Sequence, residues 1–369
     1  MAEYDPMEEL GLIHDKQLIC NNQGFLQMNN STRDVCNRFI RDGDKFYDML
    51  SRYEDVISYV LNREGDKAGH MTKFAAPFLK AFGTTDYGMY QCCKESMKLM
   101  PEAKRAIKYL SNLLPTFLST SSYEHNIMAL CDELELPITM CDYAQLQLDS
   151  YDTHRSEARA MRDLASKITS LRLPRMQYEL NVPISLPDDE VQMIDLLDDV
   201  FLKKVPDMEF GAILRDTKSI GTNEKAYALL DIRKRTMVDF DGTAYIGGDL
   251  IDYQAMDLVR DGGGLSMAFN GSEFAVHGCN VAVLSRDCTV AAVLVQEFYN
   301  EGIEAVFDLV SNWDRDALKK RECPDRHLMD AMLEANPRKL PEVFVINKNN
   351  VAEIAKKSDK YRKKLALTY

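Results

Sequence analysis

Lys16-Gln17-Leu18-Ile19-Cys20-Asn21-Asn22-Gln23-Gly24 is a short apolar run that stops abruptly in three amides and a glycine. An apolar run this short, bounded at once by loop-forming residues, reads as a buried strand over Lys16 to Cys20. Strands buried on both faces belong to parallel sheets covered by helices. In such sheets ligands sit beyond the carboxyl ends of the strands, which draws attention to Asn21, Asn22, Gln23 and Gly24.

The chain beyond this strand alternates short apolar runs with amphipathic helices, the pattern of an α/β protein. Phe46, Met49, Leu50, Tyr53, Val56, Ile57, Val60 and Leu61 recur at helical spacing on one face. Pro101 opens a further helix over Glu102 to Leu113, where its missing N–H is harmless. Leu114 to Thr120 reads as a second strand, followed by a helix with Ile127, Leu130, Cys131 and Leu134 on one face. From Gln145 to Thr217 the texture turns polar and helical, with Pro174, Pro183, Pro187 and an acidic stretch from Asp188 to Asp199. Thr222 is expected to cap a helix through Ala226 to Ile232. Ala244 to Gly247, Leu265 to Phe269 and Val281 to Leu284 complete the expected strands, the last of them final. Helices are expected over Tyr253 to Val259, Val290 to Asn300 and Ile303 to Trp313.

The chain has 369 residues, and 46% of them are hydrophobic, enough for a sizeable core. The longest purely apolar run, Val290 to Val295, is six residues, too short for a membrane span. No secretory leader is visible in the acidic stretch Met1 to Glu9. The nine cysteines are odd in number and lack paired spacing, so a disulfide framework is not expected and a cytoplasmic location is. Cys92-Cys93, Cys131 and Cys141 show no Cys-x-x-Cys spacing and read as small buried hydrophobes rather than a metal or redox site.

The net charge of -13 argues against nucleic-acid binding, which needs a basic surface. One segment runs the other way. Arg338 to Lys364 carries nine Lys/Arg against three Asp/Glu. It reads as a solvated basic helix face, with docking of an acidic protein partner as its functional use.

The residues at the expected strand ends follow an order. An amide pair comes first (Asn21, Gln23), then hydroxyls (Thr120, Ser121), then Lys225 in a helix's first turn, then Asp249 and Asp252. That order resembles the haloacid dehalogenase (HAD)-like superfamily of phosphohydrolases. It resembles more narrowly an archaeal branch, the methanogen energy-converting hydrogenase A subunit R-like proteins. The narrower resemblance is carried by Ser51-Arg52-Tyr53-Glu54-Asp55-Val56, Lys67-Ala68-Gly69 and Pro77-Phe78-Leu79-Lys80-Ala81-Phe82-Gly83. It extends to Ser122-Tyr123-Glu124-His125 and to Gly262-Gly263-Gly264-Leu265 with Phe269-Asn270-Gly271, and spans Cys20 to Trp313.

The resemblance implies a doubly wound, mainly parallel Rossmannoid sheet with a helical cap inserted after the first strand. It divides the chain into a core (14–30, 114–144 and 216–313), a cap (31–113), a mostly helical insertion (145–215) and a C-terminal extension with the basic tail (314–369). It also implies two motif-one aspartates acting as nucleophile and acid/base, a phosphate held by hydroxyl and lysine, and Mg2+ held by a late acidic pair. Thr120, Ser121 and Lys225 match the phosphate positions.

The carboxylates do not match. The nucleophile position is Asn21 and the acid/base position is Gln23, both neutral amides. The acid-x-x-x-acid spacing of the late motif falls on Gly248 and Asp252, leaving Asp252 in register and Asp249 beside it. Magnesium needs anionic oxygens, so no cofactor is expected. The expectation is a catalytically degenerate pseudo-phosphatase serving as a binding, regulatory or scaffold subunit, with a phosphate-bearing small ligand and a partner in methanogen energy metabolism. The alternative is an active Mg2+-dependent phosphatase or phosphotransferase with relocated carboxylates, drawn from Asp239, Asp241, Asp249 and Asp252.

Asp239-Phe240-Asp241-Gly242-Thr243 spells the missing first motif. Of the six residues before it, Arg233 to Val238, two are apolar, so no buried strand leads into it and it reads as a turn. Gly262 to Gly264 likewise reads as a turn into a strand, since it lacks a following Lys-Ser/Thr. His125, four residues past Ser121, reads as a helix-start cap rather than a ligand.

Overall fold

The computed structural model describes residues 14–63, 68–180, 182–321 and 326–365. Lys67 therefore lies outside the described residues. Nine strands occur among them. They are β1 (Gln17–Cys20), β2 (Thr116–Tyr123), β3 (Cys141–Ala144), β4 (Gln177–Glu179), β5 (Val182–Ser185), β6 (Thr243–Gly247), β7 (Leu265–Phe269), β8 (Val281–Leu284) and β9 (Glu342–Val345). Seven form one sheet in the order β3-β2-β1-β6-β7-β8-β9, and β4 and β5 form a separate hairpin. All neighbours in the large sheet run parallel except β8 and β9.

β1 is an interior strand between β2 and β6, and all four of its residues are buried. Its side chains alternate between two helical layers, as the strand period of two requires. Leu18 and Cys20 join one apolar layer with Leu118, Ile246 and Met267. Ile19 joins the opposite layer with Phe117, Tyr245 and Ala282. Burying such side chains contributes about 1.5 to 3 kcal/mol each. The chain winds from β1 out to β2 and β3, then returns to β6 on β1's other side. That reversal leaves a crevice at the carboxyl end of β1.

A third apolar cluster stands above this crevice. It unites Val35 to Cys93 with Ala144 to Leu214. Phe46 and Phe78 meet edge to face at 5.0 Å, and Tyr53 stacks on Phe201 at 5.3 Å. The cap and the 145–215 stretch thus share a core, and the stretch expected to be mostly helical also carries the β4–β5 hairpin. The helical stripe read from the sequence is the helix Gly43–Asp55, which widens into a π turn over Val56–Val60.

Three local expectations need correction. The helix Ala103–Leu113, assigned to the cap, puts Ala106, Ile107 and Leu110 into the layer under the sheet. Thr222 is the first helical residue rather than the cap. Gly221 caps that helix, and its N–H donates to Glu224 Oε2 at 3.0 Å. Val281–Leu284 is not the last strand, because β9 pairs with it antiparallel. The basic tail is a helix, Val351–Lys364, whose Ile354 and Ala355 are buried against the sheet.

Candidate functional site

The carboxyl ends of β1 and β6 meet because Cys20 pairs with Ile246, so Asn21 and the β6 exit loop are neighbours. Asp252 enters this junction from the turn after β6 and is fully buried. Its Oδ1 accepts from Lys225 Nζ at 2.6 Å and from Tyr245 OH at 3.1 Å. Its Oδ2 accepts from Asn21 Nδ2 at 3.1 Å and from the N–H groups of Gly248 and Asp249, both at 3.0 Å. Burial opposes the ionised form of Asp252, yet the Lys225 charge and these donors hold its pKa below the ordinary carboxylate value. The same burial and the Asp252 charge push the Tyr245 hydroxyl far up.

A second polar net flanks the first. Asn22 Oδ1 accepts from Thr120 Oγ1 at 2.5 Å, and Asn22 Nδ2 donates to Gln27 Oε1 at 3.2 Å. Thr120 Oγ1 also accepts from the Ser122 N–H at 3.1 Å. Gln27 in turn exchanges bonds with Asn126 at 3.0 and 3.3 Å. Asn22 was noted at the strand end without a role, and Gln27 and Asn126 were not singled out from the sequence. Their signal was weak, since buried amides look like loop residues until their partners are known.

Magnesium does not fit this arrangement. It needs several anionic oxygens open to it. Asn21 and Gln23 offer neutral amides, and both Asp252 oxygens are taken by protein donors. Asp249 Oδ1 accepts from Leu250 N–H at 2.8 Å and faces Arg362 at 3.7 Å. Among the described residues no three His, Cys, Asp or Glu side chains gather to hold a metal.

The structure brings Asn21, Lys225 and Asp252 into one cluster, with Thr120 beside it. Ser121, Gln23 and Asp249 lie on the wall of a cavity between cap and sheet, with Gln23 and Asp249 touching the cluster through their backbone N–H groups. Thr120 and Lys225 are buried and face other protein groups, so they do not form an open phosphate cradle. Asp239 and Asp241 precede β6, whereas Asp249 and Asp252 follow it. The two pairs therefore lie at opposite ends of a five-residue strand, about 16 Å apart, and cannot form one site. Asp239 instead accepts from Phe240 N–H at 2.7 Å and pairs with Arg233 at 3.0 Å. His125 caps nothing. Its Nε2 sits 2.9 Å from Asp86 Oδ1, and Asp86 also accepts from Leu148 and Asp149 N–H groups.

The cavity has a volume of about 450 Å³. Its cap wall carries Tyr47, Glu54, Asp55 and Tyr59, and its sheet wall carries Ser121, Ser122, Asp249 and Ser272. Arg362 and Lys363 reach it from the C-terminal helix. Sequence reasoning quoted Glu54 and Asp55 without assigning them a role. Two adjacent acids inside an apolar stripe were the available signal.

Compared with solved structures, the chain is similar to the gene product AF1437 of Archaeoglobus fulgidus. The TM-score is 0.76 at 20% identity, over 95% of this chain and 97% of that one. The shared fold is α/β. It is a doubly wound, mainly parallel α/β sheet with the helical cap entering directly after β1. A phosphoserine phosphatase in its apo form is also similar, at 11% identity and a TM-score of 0.44, over 74% of this chain and 96% of that one. No family model and no curated protein matches the chain. Among the described residues no helix is long and apolar enough to cross a membrane.

Proposed function

We propose that this chain is a catalytically degenerate HAD-like protein that binds a small ligand between cap and sheet and acts as a regulatory or scaffold subunit. The observation that carries this reading is the bond from Asn21 Nδ2 to Asp252 Oδ2 at 3.1 Å. The position of the resembled nucleophile is a donor amide, turned toward a carboxylate that a lysine already neutralises. An amide cannot attack phosphorus or carry an acyl phosphate through hydrolysis. The active alternative needs a relocated carboxylate set, and Asp239 with Asp241 lie at the wrong end of β6 to supply it.

A protein partner fits the exposed basic face of the C-terminal helix, and the sequence resemblance puts that partner among enzymes of methanogen energy metabolism. A cytoplasmic setting fits the cysteines, since the eight among the described residues are free thiols.

The test is a Mg2+-dependent assay on a phosphate monoester, run with the unmodified protein beside Asn21→Asp with Gln23→Asp. The expected result is no hydrolysis by the unmodified protein. Hydrolysis that is lost on Lys225→Ala would overturn the reading.

A further inference from the structure

The cavity between cap and sheet is lined by four carboxylates, Glu54, Asp55, Asp249 and Asp359, against two cations, Arg362 and Lys363. The cations are matched. Arg362 faces Asp249 at 3.7 Å and its Nη1 donates to Gly248 O at 2.9 Å, while Lys363 pairs with Asp359. Glu54 and Asp55 on the cap wall have no cation of the lining against them, although the Glu54 carboxylate accepts from the backbone N–H groups of Gly69, His70 and Met71. Arg52, three residues before Asp55, favours its ionised form but donates its Nη1 to Pro174 O at 2.9 Å.

Glu54 is 8% exposed, and its Oε1 is buried with no hydrogen-bond partner. Thr72 Oγ1 on the same wall is also buried and unpartnered. An unmet carboxylate oxygen beside an unmet hydroxyl is expensive in a folded protein unless something completes it. Both acids stand where the helix Gly43–Asp55 gives way to the π turn Val56–Val60, a distortion that recurs at functional sites. Burial is the first cause that raises Glu54, to about 8, with Asp55 next to it adding repulsion. Asp55 is raised to about 7, again by burial, with Asp249 adding repulsion against Arg52.

We propose that Glu54 and Asp55 form the recognition end of a binding site for a small organic cation, a primary ammonium or guanidinium compound. This rests on the ligand-binding reading above and names its ligand class. A cavity of about 450 Å³ suits a small organic molecule rather than a bare ion. The Glu54 Oε1 and Thr72 Oγ1 acceptors match the several N–H groups of an ammonium or guanidinium head. Tyr47 and Tyr59 line the same space, and no further cation of the lining competes for the pair.

The experiment is calorimetric titration of the full chain with methylammonium, ethanolamine, putrescine, spermidine and agmatine. Inorganic phosphate and magnesium chloride serve as separate probes. We expect saturable 1:1 binding of at least one amine or guanidine, weakened about tenfold or more by Glu54→Gln and by Asp55→Asn. In the unmodified protein, binding near pH 7 should release protons into the buffer, because the cation draws Glu54 into its ionised form. That release needs no variant, so it stands even if one variant fails to fold. No binding of any amine between about pH 6 and about pH 9 overturns the proposal, as does binding without proton release. Binding of phosphate or magnesium alone also overturns it. A chain that hydrolyses nothing and binds no amine would lose this inference while keeping the non-catalytic reading.

Discussion

Lys225 Nζ and Asp252 Oδ1 lie 2.6 Å apart at the carboxyl edge of the sheet, and both side chains are fully shielded from solvent. A buried pair of this kind is not itself strong evidence of stability, because each charge left water to form it. Its value shows when one partner is removed. Lys225→Met leaves Asp252 with four donors but no counter-charge, and should lower the unfolding free energy by about 3 to 5 kcal/mol. The double variant Lys225→Met with Asp252→Leu should recover part of that loss. Urea unfolding of the parent and the two variants measures it, and a Lys225→Met protein as stable as the parent would show that the pair carries no net coupling.

Asn21→Asp tests the neighbouring contact. The amide donor becomes a carboxylate facing Asp252 Oδ2, and two like charges share a dry site. The expected loss at neutral pH is about 1 to 3 kcal/mol. The neighbouring Asp252 charge and burial raise the new carboxyl in the folded chain, so the loss should shrink as the pH falls toward about 4 and vanish below it, where the group is protonated folded and unfolded alike. A loss that is flat with pH would mean that charge is not its cause.

How far this site was legible in the sequence depends on the kind of signal. The β1 strand and the amide-rich turn after it were legible, because a run of three apolar residues followed by Asn21 to Gly24 is a local pattern. Leu265–Phe269 was legible for the same reason. β9 was not, since Glu342–Val345 is a four-residue strand whose pairing with β8 depends on a partner about sixty residues away. The inward turn of Lys225 was not legible either. Its helix position placed it near the site, but only the five donors around Asp252 show that it faces a carboxylate and not a ligand. Glu54 was hidden by its surroundings, as its stripe is set by Tyr53 and Val56 and reads as core.

Glu54 gives the fold a pH dependence of unusual sign. Its folded pKa is raised to about 8, above the ordinary value of 4.5. Between those values the folded chain binds more protons than the unfolded chain, so stability falls as pH rises through that window. Below about 4.5 the group is protonated in both states and the penalty vanishes. Glu54→Gln should therefore stabilise the protein at about pH 8 to 9, by on the order of a few kcal/mol, and do little near pH 4. Thermal unfolding across pH measures this, and a variant whose advantage grows toward acid would contradict it.

The C-terminal helix separates two roles by face. Its inner face is committed to the sheet. Ile354 and Ala355 are buried, Ser358 Oγ donates to Gly271 O at 2.6 Å, and Arg362 Nη1 donates to Gly248 O at 2.9 Å. Arg362→Met strands the Gly248 carbonyl and leaves Asp249 without its cation, so it should cost about 1 to 3 kcal/mol. The outer face carries Lys356, Lys360 and Lys364, all exposed. Replacing these three by glutamate should move stability by no more than about 0.5 kcal/mol each, as surface changes generally do. If the basic face docks a protein partner, the same triple variant should abolish salt-sensitive capture of that partner while leaving the unfolding midpoint in place. An Arg362→Met protein of parental stability would mean that the helix is held by its apolar residues alone. A triple variant that unfolds early would mean that the lysines serve the fold and not a partner.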